Sequence, residues 1–238
     1  MESTRKSLKD RIISSGNIYS AIYCLESYIF EKGLLNTEDE VLGIDNKVIA
    51  SNDLELFYAL SDKYNHSLIT SVIEICSDKL NKLLESEDEL FEISAYFKLK
   101  SYKNDEGLKF RPMHTARLTD MICMVSILIC LMYDDEDKRN LSDLSKLIPH
   151  NFYGNLPSTD VQFLFKRWQN QYKKYTQNVI NHCREYQSNH RYLTEISLDI
   201  KNFFPSVSPH FLYKYIVNKL VSTYTGSISC VRGTSLGS

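Results

Sequence analysis

The stretch from Tyr192 to Leu220 constrains the fold more than any other part of this 238-residue chain. Its first eight residues, YLTEISLD, predict a strand, whose alternate side chains point to opposite faces. One face is mostly apolar, and the other ends in the carboxylate of Asp199. The residues NFFP must then turn the chain, and Ser208 followed by proline is typical of a helix N-terminus. The pattern predicts a strand, an acidic corner with two aromatic residues, and a helix.

The corner sequence LDIKNFFPSV resembles motif A of the reverse transcriptase palm. The resemblance implies that Asp199 is a catalytic, Mg²⁺-binding residue and that the backbone carbonyl of Ile200 is a further metal ligand. It also implies that Phe204 lies under the incoming sugar and rejects a 2′-hydroxyl. Oxygen ligands suit a hard cation such as Mg²⁺, which can stabilise phosphoryl transfer. The alternative is a surface aspartate at a strand end, next to two core phenylalanines.

Residues 95–112 predict a β-hairpin with one basic face. In AYFKLKSYKNDEGLKFRPM, basic and apolar residues alternate on both sides of a turn-rich gap. The ending GLKFRPM resembles the fingers hairpin of reverse transcriptases, which implies that Arg111, with Lys109 or Lys103, binds the triphosphate of an incoming nucleotide. The planar guanidinium of arginine can bond phosphate oxygens in pairs. The alternative is an exposed basic edge that only discourages aggregation.

Two segments after the hairpin predict helices. Thr115 to Met132 is apolar enough to be buried, with Cys123 and Cys130 as core residues, and an acidic solvated loop follows it. Ser158 is expected to cap a long second helix, on which apolar residues recur every three or four positions. That apolar stripe is expected to face the core.

Four basic residues fall off this stripe and are candidates for binding a nucleic-acid backbone, which attracts clustered cations. They are Lys166, Arg167, Lys173 and Lys174. The alternative is an ordinary solvated helix face. The preceding run, IPHNFYGNLPST, resembles bacterial abortive-infection reverse transcriptases of the AbiA kind.

The second acidic strand of a reverse transcriptase palm has no counterpart here. No Asp or Glu follows Asp199, whereas the family carries a YxDD hairpin after motif A. We therefore expect the N-terminal part of a larger polymerase, inactive alone, in which Mg²⁺ binding is weak or absent. The expected organisation is a helical region at 1–90, a fingers-like region at 91–190, the start of a palm at 191–222 and a disordered tail at 223–238. The helices of the first region are interpreted as packing elements or a partner surface.

Charge and cysteine patterns agree with an intracellular nucleic-acid enzyme. Residues 161–220 contain 9 Lys and Arg against 3 Asp and Glu, whereas residues 1–160 contain 18 against 27. A basic C-terminal third suits a phosphate-rich partner. The six cysteines form no zinc-type pattern, and the start MESTRKSLKDR has no apolar run, so no secretory signal is expected. A cytoplasmic protein with no membrane partner is expected, and a homo-oligomer is left open.

The sequence as a whole predicts a mostly helical α+β fold with reverse-transcriptase-like fingers and an incomplete palm. The implied function is DNA synthesis in anti-phage defence, either RNA-directed or independent of a template, with dNTPs and nucleic acid as partners. The alternative is a non-catalytic helical module that binds nucleic acid or another protein. Salt-dependent binding to single-stranded nucleic acid would favour a nucleic-acid partner of this module over a protein partner.

Overall fold

The computed structural model describes residues 7–28, 35–85, 91–103, 107–133 and 140–189, together with 208, 210, 211, 213 and 214. Within these residues the fold is α+β, with two small antiparallel sheets. The chain divides into two compact units, which we describe separately. The first comprises Met1–Ser142 and Asn155–Trp168, and the second comprises Asp143–Gly154 and Gln169–Ser238.

Seven helices and four strands have defined bounds in the described residues. The helices are α1 (Leu8–Ile12), α2 (Ser15–Tyr28), α3 (Asp53–Leu60), α4 (His66–Glu85), α5 (Leu118–Met132), α6 (Asp143–Lys146) and α7 (Trp168–Ser188). The strands are β1 (Val41–Leu42), β2 (Val48–Ala50), β3 (Ile93–Lys103) and β4 (Gly107–Ala116). None of the helices in the described residues combines the length and apolar character needed to cross a bilayer.

The apolar core of the first unit lies among α2, α4 and α5. Ile18, Leu80 and Ile122 are fully buried there, and Cys123 and Cys130 are core residues as the sequence predicts. A hydrogen bond with the Cys123 thiol and burial raise the pKa of Cys76 well above its ordinary value. These thiols therefore behave as small apolar core groups.

A buried polar contact joins α2 to α5 inside this core. The Asn17 amide donates to the Ser126 hydroxyl at 2.6 Å and to the Ser126 carbonyl at 3.0 Å, and the Ser126 hydroxyl donates to the Ile12 carbonyl at 2.7 Å. Buried polar groups require such partners, because an unpaired one costs about 1–3 kcal/mol. The contact fixes how the two helices align.

Tyr133, directly after α5, connects distant parts of the first unit. Its side chain is fully buried, and its hydroxyl donates to the Ser158 carbonyl and, at 3.3 Å, to the Leu164 carbonyl. Its own carbonyl accepts from the Arg11 guanidinium at 2.6 Å. Helix α1 and the loop at 156–166 are thus held by the same residue.

The small sheet of β1 and β2 is absent from the sequence prediction, which expects only helices before residue 90. Val41 pairs with Ala50 and Leu42 with Val48, in antiparallel register. The turn between the strands places Asn46 at a φ of 58°, a left-handed conformation that asparagine tolerates. The sequence GIDN carries this turn signal.

Helix α7 begins ten residues after Ser158, the predicted cap. Ser158 and Asp160 instead make local turns: the Asp160 N–H donates to the Ser158 hydroxyl at 3.1 Å, and the Gln162 N–H donates to the Asp160 carboxylate at 3.0 Å. Pro157 bridges to Phe165, so the segment folds back before the helix starts. The competing use of short polar side chains in turns explains the difference.

The prediction that the α7 stripe faces the core is wrong for the described residues. Trp168 is 58% exposed and Tyr172 is 60% exposed, and Gln171 is the buried residue of the helix. Within the second unit, the Tyr153 ring lies 5.8 Å from that of Tyr175 between centroids, and the Tyr153 hydroxyl accepts from Asn178. Helical periodicity identifies an apolar face but does not specify what covers it.

Candidate functional site

The long hairpin of β3 and β4 carries the candidate nucleotide-binding residues. Lys98 is paired with Arg111 across the strands, and Leu99 is paired with Phe110. Cross-strand partners share a face, and neighbours along a strand point to opposite faces. Lys98, Arg111 and Lys109 therefore lie on one face, which we call the basic face.

An irregularity in the ladder lies beside the basic face. The register shifts between Leu99 and Ser101, so that Ser101 is paired with Lys109 and Lys100 is the extra residue. Such a bulge bends a strand and increases its twist. Gly107, at the start of β4, has a φ of 71°, which a residue with a side chain adopts only with strain. The bend at Lys100 and the conformation at the start of β4 are therefore backbone features of the described strands.

Both faces of the hairpin are open to solvent. Lys98, Lys109 and Arg111 are exposed, and on the opposite face Phe97 is 73% exposed and Phe110 is exposed as well. A two-stranded hairpin without a covered face is marginal by itself in water. The hairpin is therefore held by the hydrogen bonds between its two strands and by its attachment to the rest of the first unit.

Buried Asp120 anchors the start of β3. Its carboxylate accepts from the backbone N–H of Glu92 at 2.9 Å and pairs with Lys79 at 2.5 Å. Asp120 lies in the first turn of α5, where the helix dipole favours a negative charge. The hairpin is thereby tied to α4 and α5 at the point where it leaves the core.

A second buried carboxylate, Asp53, fixes the end of β4. It accepts from the Leu118 N–H at 3.0 Å and pairs with the Arg117 guanidinium at 3.2 Å. Arg117 also donates to the carbonyls of Asp39 and Glu40, at 3.3 and 3.1 Å. Burial raises the pKa of Asp53, and the Leu118 N–H and the Arg117 charge offset only part of that effect. The two strand ends are thus each fastened by one carboxylate.

The predicted metal site cannot be placed beside the hairpin. Asp199, Ile200 and Phe204 lie outside the described residues. Elsewhere, within the part of the chain that the structure describes, no cluster of three His, Cys, Asp or Glu side chains could hold a metal ion. Near this segment, the Phe211 N–H donates to the Ser208 hydroxyl at 3.4 Å, as expected for an N-cap.

The four candidate nucleic-acid-binding residues are all exposed and fall in two places. Lys166 and Arg167 follow the loop of the first unit, and the Arg167 guanidinium lies 5.3 Å from the centroid of the Phe163 ring. Lys173 and Lys174 lie on α7, within the second unit. On a helix, residues 173 and 174 project away from the aromatic stripe through residues 168, 172 and 175.

Lys98 is the functional candidate to which the sequence assigned no role. Alternation placed it on the basic side of β3, but only the register shows that it faces Arg111. The bulge at Lys100 makes that register hard to derive from the sequence, since one extra residue changes every later pairing.

No protein-family model, curated protein or solved structure matches this chain. The resemblance to reverse transcriptases therefore depends on the short motifs in the sequence. The candidate site is defined by the charge, exposure and register of the hairpin.

Proposed function

We propose that this chain is the N-terminal, fingers-bearing part of a reverse-transcriptase-like DNA polymerase that acts in anti-phage defence. The observation that supports this most is the exposed basic face. There Lys98 lies opposite Arg111 in the strand register, and Lys109 lies two residues from Arg111 along β4. This face precedes LDIKNFFPSV in the chain, which is the order of fingers and motif A in the family.

In this function Arg111 binds the triphosphate of an incoming dNTP, because its planar fork can bond two phosphate oxygens at once. Lys98 and Lys109 add positive charge on the same face. Asp199 and the Ile200 carbonyl would hold Mg²⁺, which neutralises charge on the phosphates when bound. Phe204 would select the sugar.

Isothermal titration of the full chain with dTTP tests the role of the basic face. Loss of a charge-assisted hydrogen bond is worth about ten- to a hundredfold in affinity, so we expect Arg111→Ala to weaken dTTP binding by that factor. Lys47→Ala is the matched control, because it removes an equal charge from an exposed site on the other hairpin, where Lys47 pairs with Asp45 at 2.8 Å. Equal affinities for the two variants, or no dTTP binding at all, would contradict the proposal.

A primer-extension assay with Mg²⁺ and dNTPs tests the catalytic set. We expect no incorporation by these 238 residues alone, because they include no carboxylate after Asp199. Incorporation that Asp199→Ala abolishes would show that the set is complete without a YxDD strand.

A second candidate function is a non-catalytic module that binds single-stranded nucleic acid. The described part of α7 exposes Lys173 and Lys174, and no acidic residue occurs between residues 168 and 184. Binding that weakens steeply with salt and falls in a Lys173→Ala variant, but not in Lys82→Ala, would favour this function. If binding is indifferent to both changes and dTTP does not bind, a protein partner becomes the better hypothesis.

A further inference from the structure

A concave site that shares no residue with the basic face of the hairpin lies in the first unit. It is a cleft of about 630 Å³ between α2 and the loop at 158–163. Sites for small ligands usually measure about 300–1,000 Å³. Its lining includes Tyr19, Ser20, Tyr23, Lys63, Gln162 and Phe163.

One wall of the cleft is aromatic. Tyr19 and Tyr23 are four residues apart on α2 and therefore project from the same side of the helix. Their rings pack edge to face, with centroids 4.7 Å apart and an interplanar angle of 61°. Two tyrosines held in this way present ring surface that can stack on a planar ligand.

The opposite wall is held in position before any ligand arrives. The Cys24 thiol donates to the Val161 carbonyl at 3.5 Å, which fastens the loop to α2. The Phe163 N–H donates to the Asp160 carbonyl at 3.2 Å, and Tyr133 holds the carbonyls at both ends of the loop. The half-buried Phe163 ring is thus fixed, and a pre-organised wall lowers the entropic cost of binding.

Among the described residues that line the cleft, Lys63 is the one cation, and the Arg167 guanidinium lies next to the Phe163 ring outside this lining. The Lys63 ammonium lies 5.3 Å from the centroid of the Tyr23 ring, a cation–π distance. The described residues that line the cleft include no acidic side chain, whereas the Gln162 amide and the Ser20 hydroxyl can form hydrogen bonds. Aromatic walls, one positive charge and two polar groups suit a ring that carries an anion.

We propose that this cleft binds a planar aromatic ring bearing a negatively charged group, of the size of a nucleoside monophosphate. The ring stacks against Tyr19 and Phe163, and the anion pairs with Lys63. This site shares no residue with the basic face of the hairpin. The inference is therefore independent of the polymerase proposal.

Isothermal titration of the full chain tests the chemistry of the ligand with AMP as the probe. Adenosine lacks the anion and ribose 5-phosphate lacks the ring. We expect both to bind at least tenfold more weakly than AMP. A 5′-phosphorylated tetranucleotide distinguishes the source, since tighter binding than AMP indicates a strand end and weaker binding indicates a free nucleotide.

Variants with neighbouring controls test the location. We expect Lys63→Gln to weaken AMP about ten- to a hundredfold while leaving adenosine unchanged, and Tyr19→Ala to weaken both. Tyr64→Ala and Lys47→Gln are the controls, because Tyr64 is 87% exposed beside Lys63 without lining the cleft, and Lys47 lies in the turn between β1 and β2.

Three results would overturn the proposal: no AMP binding at millimolar concentrations, AMP binding that Lys63→Gln and Tyr19→Ala leave intact, or equal binding of AMP and ribose 5-phosphate. Loss of dTTP binding in Arg111→Ala with AMP binding unchanged would support two separate sites.

Discussion

The helical core and the long hairpin of the first unit are ordered by different physical means. Core side chains such as Ile18 and Ile122 are buried without solvent contact, whereas Phe97 and Phe110 on the hairpin are exposed. The core is therefore stabilised mainly by burial of apolar surface, and the hairpin by backbone hydrogen bonds and anchors at its base. Substitutions on the hairpin should change binding, and substitutions at its base should change folding.

The largest expected effect comes from cutting the anchor between these regions. Asp120→Ala leaves Lys79 without its buried partner and the Glu92 N–H without its acceptor. Removing one member of a buried ion pair costs about 3–5 kcal/mol. Urea denaturation measures the loss of stability. Hydrogen exchange should show that the Asp120→Ala variant accelerates exchange more in β3 than in α2, relative to the wild type. An equal acceleration of exchange in both elements would contradict the anchoring role.

Matched truncations of apolar residues should separate the two regions next. We expect Ile122→Ala to lower the free energy of unfolding by about 2–5 kcal/mol, because it opens a cavity in the core. Phe97→Ala, although it removes a larger side chain, should change it by less than about 0.5 kcal/mol. Equal losses in urea denaturation would mean that the apolar face of the hairpin is covered in solution.

The pH dependence of stability tests the second anchor. Because burial raises the pKa of Asp53, the folded state binds its proton more tightly than the unfolded chain does. The free energy of unfolding of the wild type minus that of Asp53→Asn should therefore fall as pH rises from 3.8 to the raised pKa, and then level off. A difference that grows over this range would show that the Arg117 charge outweighs burial.

The smallest expected change in stability is at the candidate site itself. Arg111 is exposed, so Arg111→Ala should alter the free energy of unfolding by less than about 0.5 kcal/mol. Thermal denaturation of the variant used for dTTP titration measures this. A larger loss would mean that the cross-strand contact with Lys98 has a structural role.

Elements set by local sequence patterns were predictable from the sequence, whereas those set by contacts between distant residues were not. The apolar run of α5 and the alternation around GLKFRPM are strong local signals, and the structure has a buried helix and an antiparallel hairpin there. Ser158 and Asp160 have the chemistry of a helix cap and also that of a turn, and their local sequence cannot decide between the two. Contacts of Tyr133 with two carbonyls more than twenty residues away favour the turn.

The candidate site was predictable in part for the same reason. Arg111 and Lys109 follow from alternation within one strand, whereas the place of Lys98 opposite Arg111 requires the register across the bulge. The cleft combines residues from α2, from the segment after α3 and from the loop at 158–163, which is distant from both in the sequence. The i, i+4 spacing of Tyr19 and Tyr23 is the only local sequence pattern that indicates the cleft.

The position of Tyr133 has a consequence for synthesis of the chain on the ribosome. The residue binds Arg11 on one side and the carbonyls of Ser158 and Leu164 on the other. The first helix therefore cannot complete its native contacts until the nascent polypeptide has emerged beyond position 133. A translational pause before that point would leave Arg11 of α1 without its buried contact to the Tyr133 carbonyl.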